Sequence, residues 1–215
     1  MSKLLDIFFP GRCPFCRKLS QNGAVCPACR KALPVVTGKD ACLSLRGAGR
    51  CAAALYYEGA VRRAILRYKF GGRRGSCAAF GELVAQCAAE HFAGEFDTVT
   101  WVPVSRKRLR RRGYDQAGLI AGEAAKLWDT RAVPLLKKTR DTPAQSKKDA
   151  AARRANVLGA FAPQNEEKIK GSRILLIDDV RTTGATLGEC AGVLRRAGAA
   201  EVVCAVLATP RLERK

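Results

Sequence analysis

The residues best suited to chemistry lie between Ile174 and Thr186, in the order ILLIDDVRTTGAT, where an apolar run delivers two adjacent carboxylates into a small hydroxylated turn. A phosphate monoester carries about −1.5 to −2 charges and three strong acceptor oxygens. It suits the backbone N–H groups of Thr183, Gly184 and Ala185 and the hydroxyls of Thr182, Thr183 and Thr186, with Gly184 permitting close approach. Asp178 and Asp179 would repel phosphate; they match the hydroxyls of a ribose and, directly or through water, a magnesium ion that needs only one or two carboxylates. Together the two halves describe a site for a phosphorylated sugar. The blander reading is that the aspartates only cap the following turn. Two rival phosphate motifs fall away. GxxxxGK[ST] is absent, and Gly47-Ala48-Gly49-Arg50-Cys51-Ala52 imitates a dinucleotide fingerprint without following a strand.

A second chemical group sits near the start. Cys13-Pro14-Phe15-Cys16 and Cys26-Pro27-Ala28-Cys29 are two C-x-x-C knuckles nine residues apart, with Asn22-Gly23 between them as a hairpin turn. Four thiolates satisfy tetrahedral zinc and leave no open position, so the expected metal is structural; redox cysteines or disulfides are the alternative. Cys77, Cys87, Cys190 and Cys204 fall in apolar patterns and read as core. His91 is the single histidine, at the end of an apolar helical pattern, and reads as structural.

These residues need a scaffold. Ile174 to Ile177 reads as a strand buried on both faces, Leu187, Cys190, Ala191 and Leu194 follow at helical spacing, and Val202 to Leu207 completes a strand–helix–strand unit. Thr98 to Val104 reads as another strand, and Tyr114 to Trp128 as a helix with Trp128 in the core rather than free to stack on a base. A helix over Gly59 to Phe70 buries Val61, Ala64, Ile65 and Tyr68 and is expected to expose Arg62, Arg63, Arg67 and Lys69. The following Tyr68 to Arg74 mixes aromatics, glycines and cations in a way that suits a sliding single strand. Arg106 to Arg112, with six basic residues in seven, reads as a solvated loop face or an anion contact, and residues 32 to about 50 as an irregular strap.

The DDVRTTGAT segment resembles the phosphoribosyl-pyrophosphate (PRPP) signature of type I phosphoribosyltransferases. The chain as a whole is similar to the ComF family of competence-associated proteins, through CPFC and CPAC, VPVSRKRLRRRGYDQA, TRDTPAQ and RRANVLGAF. The resemblance implies an α/β fold: a type I phosphoribosyltransferase-like parallel sheet flanked by helices, with a small N-terminal four-cysteine zinc ribbon. It implies PRPP bound with Mg2+ by Asp178, Asp179 and the Thr182–Thr186 turn, and a pentosyltransferase reaction in which both acids are the catalytic residues. It also implies a pyrophosphate loop at Val104, Ser105, Arg106 and Lys107, and a mobile hood over residues 137–154 with contacts from Lys138, Arg140, Thr142 and Gln145. One pyrophosphate cannot occupy six cations, so Arg108, Arg110, Arg111 and Arg112 are assigned to nucleic acid or water. Purine-salvage relatives usually carry an aspartate where Thr182 stands, which disfavours hypoxanthine or guanine transfer. The family's role in natural transformation implies single-stranded DNA, a competence helicase or other DNA-uptake proteins as partners.

Composition sets the outer bounds. The 215 residues accommodate one α/β core and a small module, with the boundary expected near residue 50 (1–50 and 51–215). A net charge of +20 favours anionic partners. No stretch supplies the roughly twenty apolar residues of a membrane span, and LLDIFF near the start is interrupted by Asp6 and lacks a cleavage pattern, so a cytoplasmic location is expected. Ten cysteines fit reduced thiols and a metal site better than a secreted disulfide scaffold in a chain of this length.

Overall fold

The computed structural model describes residues 11–20, 23–142 and 155–211. LLDIFF, Asn22 and Gln145 lie outside the described residues. A short helix, α1 (Pro27–Ala32), leads through the strap to β1 (Cys42–Leu45), β2 (Gly49–Tyr56), α2 (Gly59–Phe70) and α3 (Cys77–Phe92). β3 (Thr98–Trp101), α4 (Arg106–Arg112), α5 (Gln116–Lys126) and β4 (Leu136–Lys138) follow. After the undescribed stretch come β5 (Phe161–Pro163), α6 (Glu166–Ile169), β6 (Arg173–Val180), α7 (Ala185–Arg196) and β7 (Glu201–Thr209). The main sheet has the order β1-β2-β7-β6-β3, parallel except for β1 at one edge; β4 and β5 pair antiparallel as a separate ribbon.

β6 is an interior strand between β7 and β3, and its Ile174, Leu175, Leu176 and Ile177 are all completely buried. Strand alternation sends Ile174 and Leu176 to one face, against Leu187, Cys190 and Leu194 of α7, and Leu175 and Ile177 to the other, against α2, α3 and α5. Each such side chain contributes roughly 1.5–3 kcal/mol by leaving water. Gly81 allows α3 and α5 to touch, since a Cβ there would stand 2.5 Å from that of Glu123.

Several expectations change. The basic run Arg106 to Arg112 is the helix α4, not a loop: Ser105 caps it by accepting from the Arg108 N–H at 3.3 Å, and Gly113 ends it at φ 76°. Long unbranched arginine and lysine stems are good helix formers. The expected helix over 114–128 is trimmed to α5 because Asp115 accepts from the Gly118 N–H and so fixes the start. β3 stops at Trp101, short of Pro103, which has no N–H for a ladder. The irregular strap contains a strand, β1, paired along β2. On α2, Arg62 and Arg63 are exposed as expected, but Arg67 donates to the Pro14 and Phe15 carbonyls at 2.7 and 3.3 Å, and Lys69 turns into the protein. Tyr68 is fully buried and Arg74 lies over the Tyr114 ring, so of the aromatic–basic stretch only Phe70 offers an exposed ring. Trp128 packs edge-on against Phe96 at 5.0 Å beside the core.

Candidate functional site

A cavity of about 280 Å³ opens where β3 and β6 end, lined by Val102 to Val104, Asp178 to Leu187, Lys69, Arg108, Arg112, Lys138 and Thr142. The parallel strands bring their carboxyl ends to one rim, where open α/β sheets bind ligands. Asp178 and Asp179 both face this cavity, yet strand alternation aims them to opposite sides. Asp178 continues the Ile174–Leu176 face and accepts the Asp179 N–H at 2.8 Å. Asp179 continues the Leu175–Ile177 face and pairs with Lys69, Nζ to Oδ1 at 2.8 Å. Neither caps α7, whose N-cap is Gly184 at φ 76° without a side-chain cap.

The charge balance differs between the two acids. Burial, then the neighbouring Asp179 charge, push the Asp178 carboxyl up to about 8, and Lys69 offsets only part of this. Burial alone would lower Lys69, but Asp179, helped by Asp178, holds its ammonium above the ordinary lysine range. Arg181 is buried in the turn and donates through Nε and a terminal nitrogen to Thr209 Oγ1 at 3.0 and 2.8 Å, tying the turn to β7. Thr182 is exposed, and Thr183 Oγ1 accepts from the Ala185 N–H at 3.4 Å. A Cβ on Gly184 would come 3.0 Å from Leu45, so β1 backs the turn closely.

The helical period divides the cations of α4. Arg108 and Arg112, one turn apart, line the cavity; Arg108 donates to the Thr142 carbonyl at 2.8 Å, and Arg112 donates to Gln116 at 2.7 Å while lying over the Phe70 ring at 4.9 Å. Arg106, Lys107, Arg110 and Arg111 are exposed. Ser105, Arg106 and Lys107 line a neighbouring cleft of about 390 Å³ with Lys137, Lys138, Thr139, Arg140 and Asp141. The structure thus groups the turn, the acids, Arg108 and Arg112 in one space and Ser105, Arg106 and Lys107 in the next, with Lys138 shared. Lys69 and Arg181 were not singled out for the site from sequence. Lys69 stands four residues after Ile65 on the buried stripe of α2, and that spacing was the available signal.

The sulfur atoms of Cys13, Cys16, Cys26 and Cys29 all lie within 4.8 Å of one another, the one such group among the described residues. Zinc–sulfur bonds of about 2.3 Å put sulfurs about 3.8 Å apart, so the set fits a tetrahedral ion. Burial would raise Cys13, but the N–H groups of Cys16, Cys26 and Phe15 lower it to about 6, whereas burial and the three neighbouring cysteines push Cys29 up, as crowding of four sulfurs at one point requires. The knuckle rests on the main core through Cys13, Phe15 and Val25, and through an Arg30–Glu82 ion pair at 2.7 Å. Cys87, Cys190 and Cys204 are buried, and Cys77 packs against the core. Among the described residues no helix is long and apolar enough to cross a membrane.

Residues 117–215 match the Phosphoribosyl transferase domain family, and residues 4–58 match the Double zinc ribbon domain family. The sheet with its flanking helices, preceded by the four-cysteine knuckle, is therefore a type I phosphoribosyltransferase-like fold carrying an N-terminal zinc ribbon. DNA utilization protein YhgH of Escherichia coli (strain K12) is 36% identical over 110 residues, covering 49% of this chain and 46% of that protein, so the match spans about half the length of each. Competence protein ComFC of Streptococcus pneumoniae is 30% identical over 180 residues, covering 82% of this chain and 77% of that protein. The glutamine PRPP amidotransferase from B. subtilis complexed with ADP and GMP is similar over 66% of this chain and 30% of its own, with a TM-score of 0.46 and 22% identity.

Two outcomes are expected. Purified protein carries about one zinc per chain, and either a strong chelator or Cys16→Ser removes it and lowers the thermal midpoint; metal analysis with a melting curve checks both. For Asp178, a folded pKa near 8 against an unfolded value of about 3.9 means the folded chain holds the extra proton in that window, so stability falls as pH rises through it. Asp178→Asn should stabilise the ligand-free protein at pH 8 by roughly 1–2 kcal/mol, or about 2–8 °C, with little gain at pH 4. Melting curves across pH test this, and an equal gain at both pH values contradicts it.

Proposed function

We propose, from the premise that the chain belongs to the ComF family of competence-associated proteins, that its cavity binds PRPP and transfers the 5-phosphoribosyl group to a nucleophilic acceptor. The observation that carries this reading is the single cavity uniting the β6 acids with the Thr182–Thr186 turn at the amino end of α7. The turn's N–H groups and hydroxyls take the 5-phosphate, as anions are taken at helix N-termini. Asp178 and Asp179 take the ribose hydroxyls, and the cations around them take the pyrophosphate.

A magnesium ion fits the donor set, since Asp178 makes no ion pair among the described residues whereas Asp179 is already matched by Lys69. Asp178 would hold it, and there it would supply charge neutralisation for the pyrophosphate. In the transfer, the C1–O bond breaks with its electron pair leaving on pyrophosphate, and positive charge develops on the sugar ring as in glycoside cleavage. The acceptor's lone pair forms the new bond to C1, and its proton passes to water. The residues act chiefly by positioning and electrostatic stabilisation, and no catalytic triad is needed. Thr182 in place of the acid of purine-salvage relatives argues against hypoxanthine or guanine as acceptor. Reduced zinc thiolates suit a cytoplasmic setting.

Calorimetric titration with PRPP and magnesium should give saturable binding, weakened about tenfold or more in Asp178→Asn, a variant expected to fold better than the parent. No binding by the parent protein removes the reading. A second reading, a single-stranded DNA-binding accessory of transformation, is favoured by one observation: Arg106, Lys107, Arg110 and Arg111 all face outward on α4. DNA, a competence helicase or another DNA-uptake protein would meet this surface. Arg110→Ser/Arg111→Ser should then reduce the salt slope of single-stranded DNA affinity by about 1–2 units. An unchanged slope takes α4 out of that interface.

A further inference from the structure

α2 lies between the two regions matched to known families, yet its last turn brings Lys69 to the cavity wall with Nζ 2.8 Å from Asp179 Oδ1. The two faces of the sheet decide which part of a ligand it meets. α7, which follows the threonine turn, packs on the Ile174–Leu176 face; α2 packs on the Leu175–Ile177 face, the side to which Asp179 points. On the PRPP reading, a sugar with its 5-phosphate in the turn and its hydroxyls on both acids would cross the sheet rim, which would leave its C1 substituent room on the α2 side. Lys69 lines the cavity there, as does Arg112. An ammonium has three donors, and Lys69 spends one on Asp179.

We infer that Lys69 grips the pyrophosphate of PRPP, with Asp179 as the anchor that holds its ammonium in place. The inference rests on the PRPP reading above. The anchor removes most of the rotamer freedom that a free lysine would lose on meeting the ligand. It also fixes a positive charge where negative charge develops as the leaving group departs, the arrangement that stabilises a transition state without reorganisation. Asp179 keeps its second oxygen for a ribose hydroxyl, so one carboxylate positions both the sugar and the cation that faces its leaving group.

The test compares PRPP with ribose 5-phosphate, which lacks the pyrophosphate, by calorimetry with magnesium present throughout. In Lys69→Met, PRPP affinity should fall about tenfold or more while ribose 5-phosphate affinity stays within about twofold; Lys69→Arg should restore part of the difference. Equal weakening of both ligands would mean that Lys69 only supports Asp179, and unchanged PRPP affinity would mean that it touches nothing; either result overturns the inference. Lys69→Met strands a buried carboxylate, so Lys69→Met/Asp179→Asn is compared with Asp179→Asn alone. There the preference for PRPP over ribose 5-phosphate should again collapse only when Lys69 is missing. If the parent protein fails to bind PRPP, the functional reading fails; if it binds but the preference survives loss of Lys69, this inference alone fails.

Discussion

Two neighbouring carboxylates at the end of a buried strand are a problem in electrostatics, and much of this molecule is arranged around it. In a low-dielectric surrounding, like charges a few ångströms apart cannot both ionise without compensation. The strand offers the first part of the answer by turning Asp178 and Asp179 to opposite faces. Lys69 offers the second by neutralising one of them. What is left is a carboxyl at Asp178 held up to about 8, a group that gains from any cation brought into the cavity. The ligand-free protein is thus poised rather than relaxed, which is the usual cost of a preorganised site.

The same helix that supplies Lys69 also holds the metal knuckle. Arg67, two residues earlier on α2, donates to the Pro14 and Phe15 carbonyls inside the first C-x-x-C pair. Tyr68, between them, is fully buried and donates to the Gln116 carbonyl at 2.9 Å. One turn of helix therefore joins the zinc-ribbon end, the core and the cavity. The small module is packed on the larger fold through Phe15 and Phe80, whose rings lie 6.1 Å apart, rather than hung from a linker.

Those features with a fixed local period were legible in the sequence. The buried strand at Ile174–Ile177, the stripe of α7 and the two cysteine knuckles follow from spacing alone, because burial on two faces, a 3.6-residue turn and a tetrahedral ion each impose their own repeat. Features set by partners distant in sequence were less so. Charge made Lys69 and Arg67 read as solvent-facing, although Lys69 follows Ile65 by four residues on the buried stripe. Their partners, Asp179 and the Pro14 and Phe15 carbonyls, lie far away along the chain, and no propensity rule announces such a pairing. The basic run was hidden for another reason. A window of arginine and lysine without an apolar stripe carries no periodic signal, so its helix is legible only through its ends, at Ser105 and Gly113.

That helix sorts its cations into two environments. A loop would leave six cations free to gather on any single phosphate. A helix separates them by angle, sending Arg108 and Arg112 into the cavity and Arg106, Lys107, Arg110 and Arg111 outward. The inner pair is fixed by Thr142, Gln116 and Phe70, and fixed donors select for geometry. The outer group is solvated, and solvated cations on long stems bind diffuse polyanions through counterion release with little demand on shape. Sequence composition alone gives both sets the same net charge per residue. Only the helical period puts one of them on the cavity wall and the other on open surface, and it is why the chain's +20 charge does not by itself identify the ligand of any particular arginine.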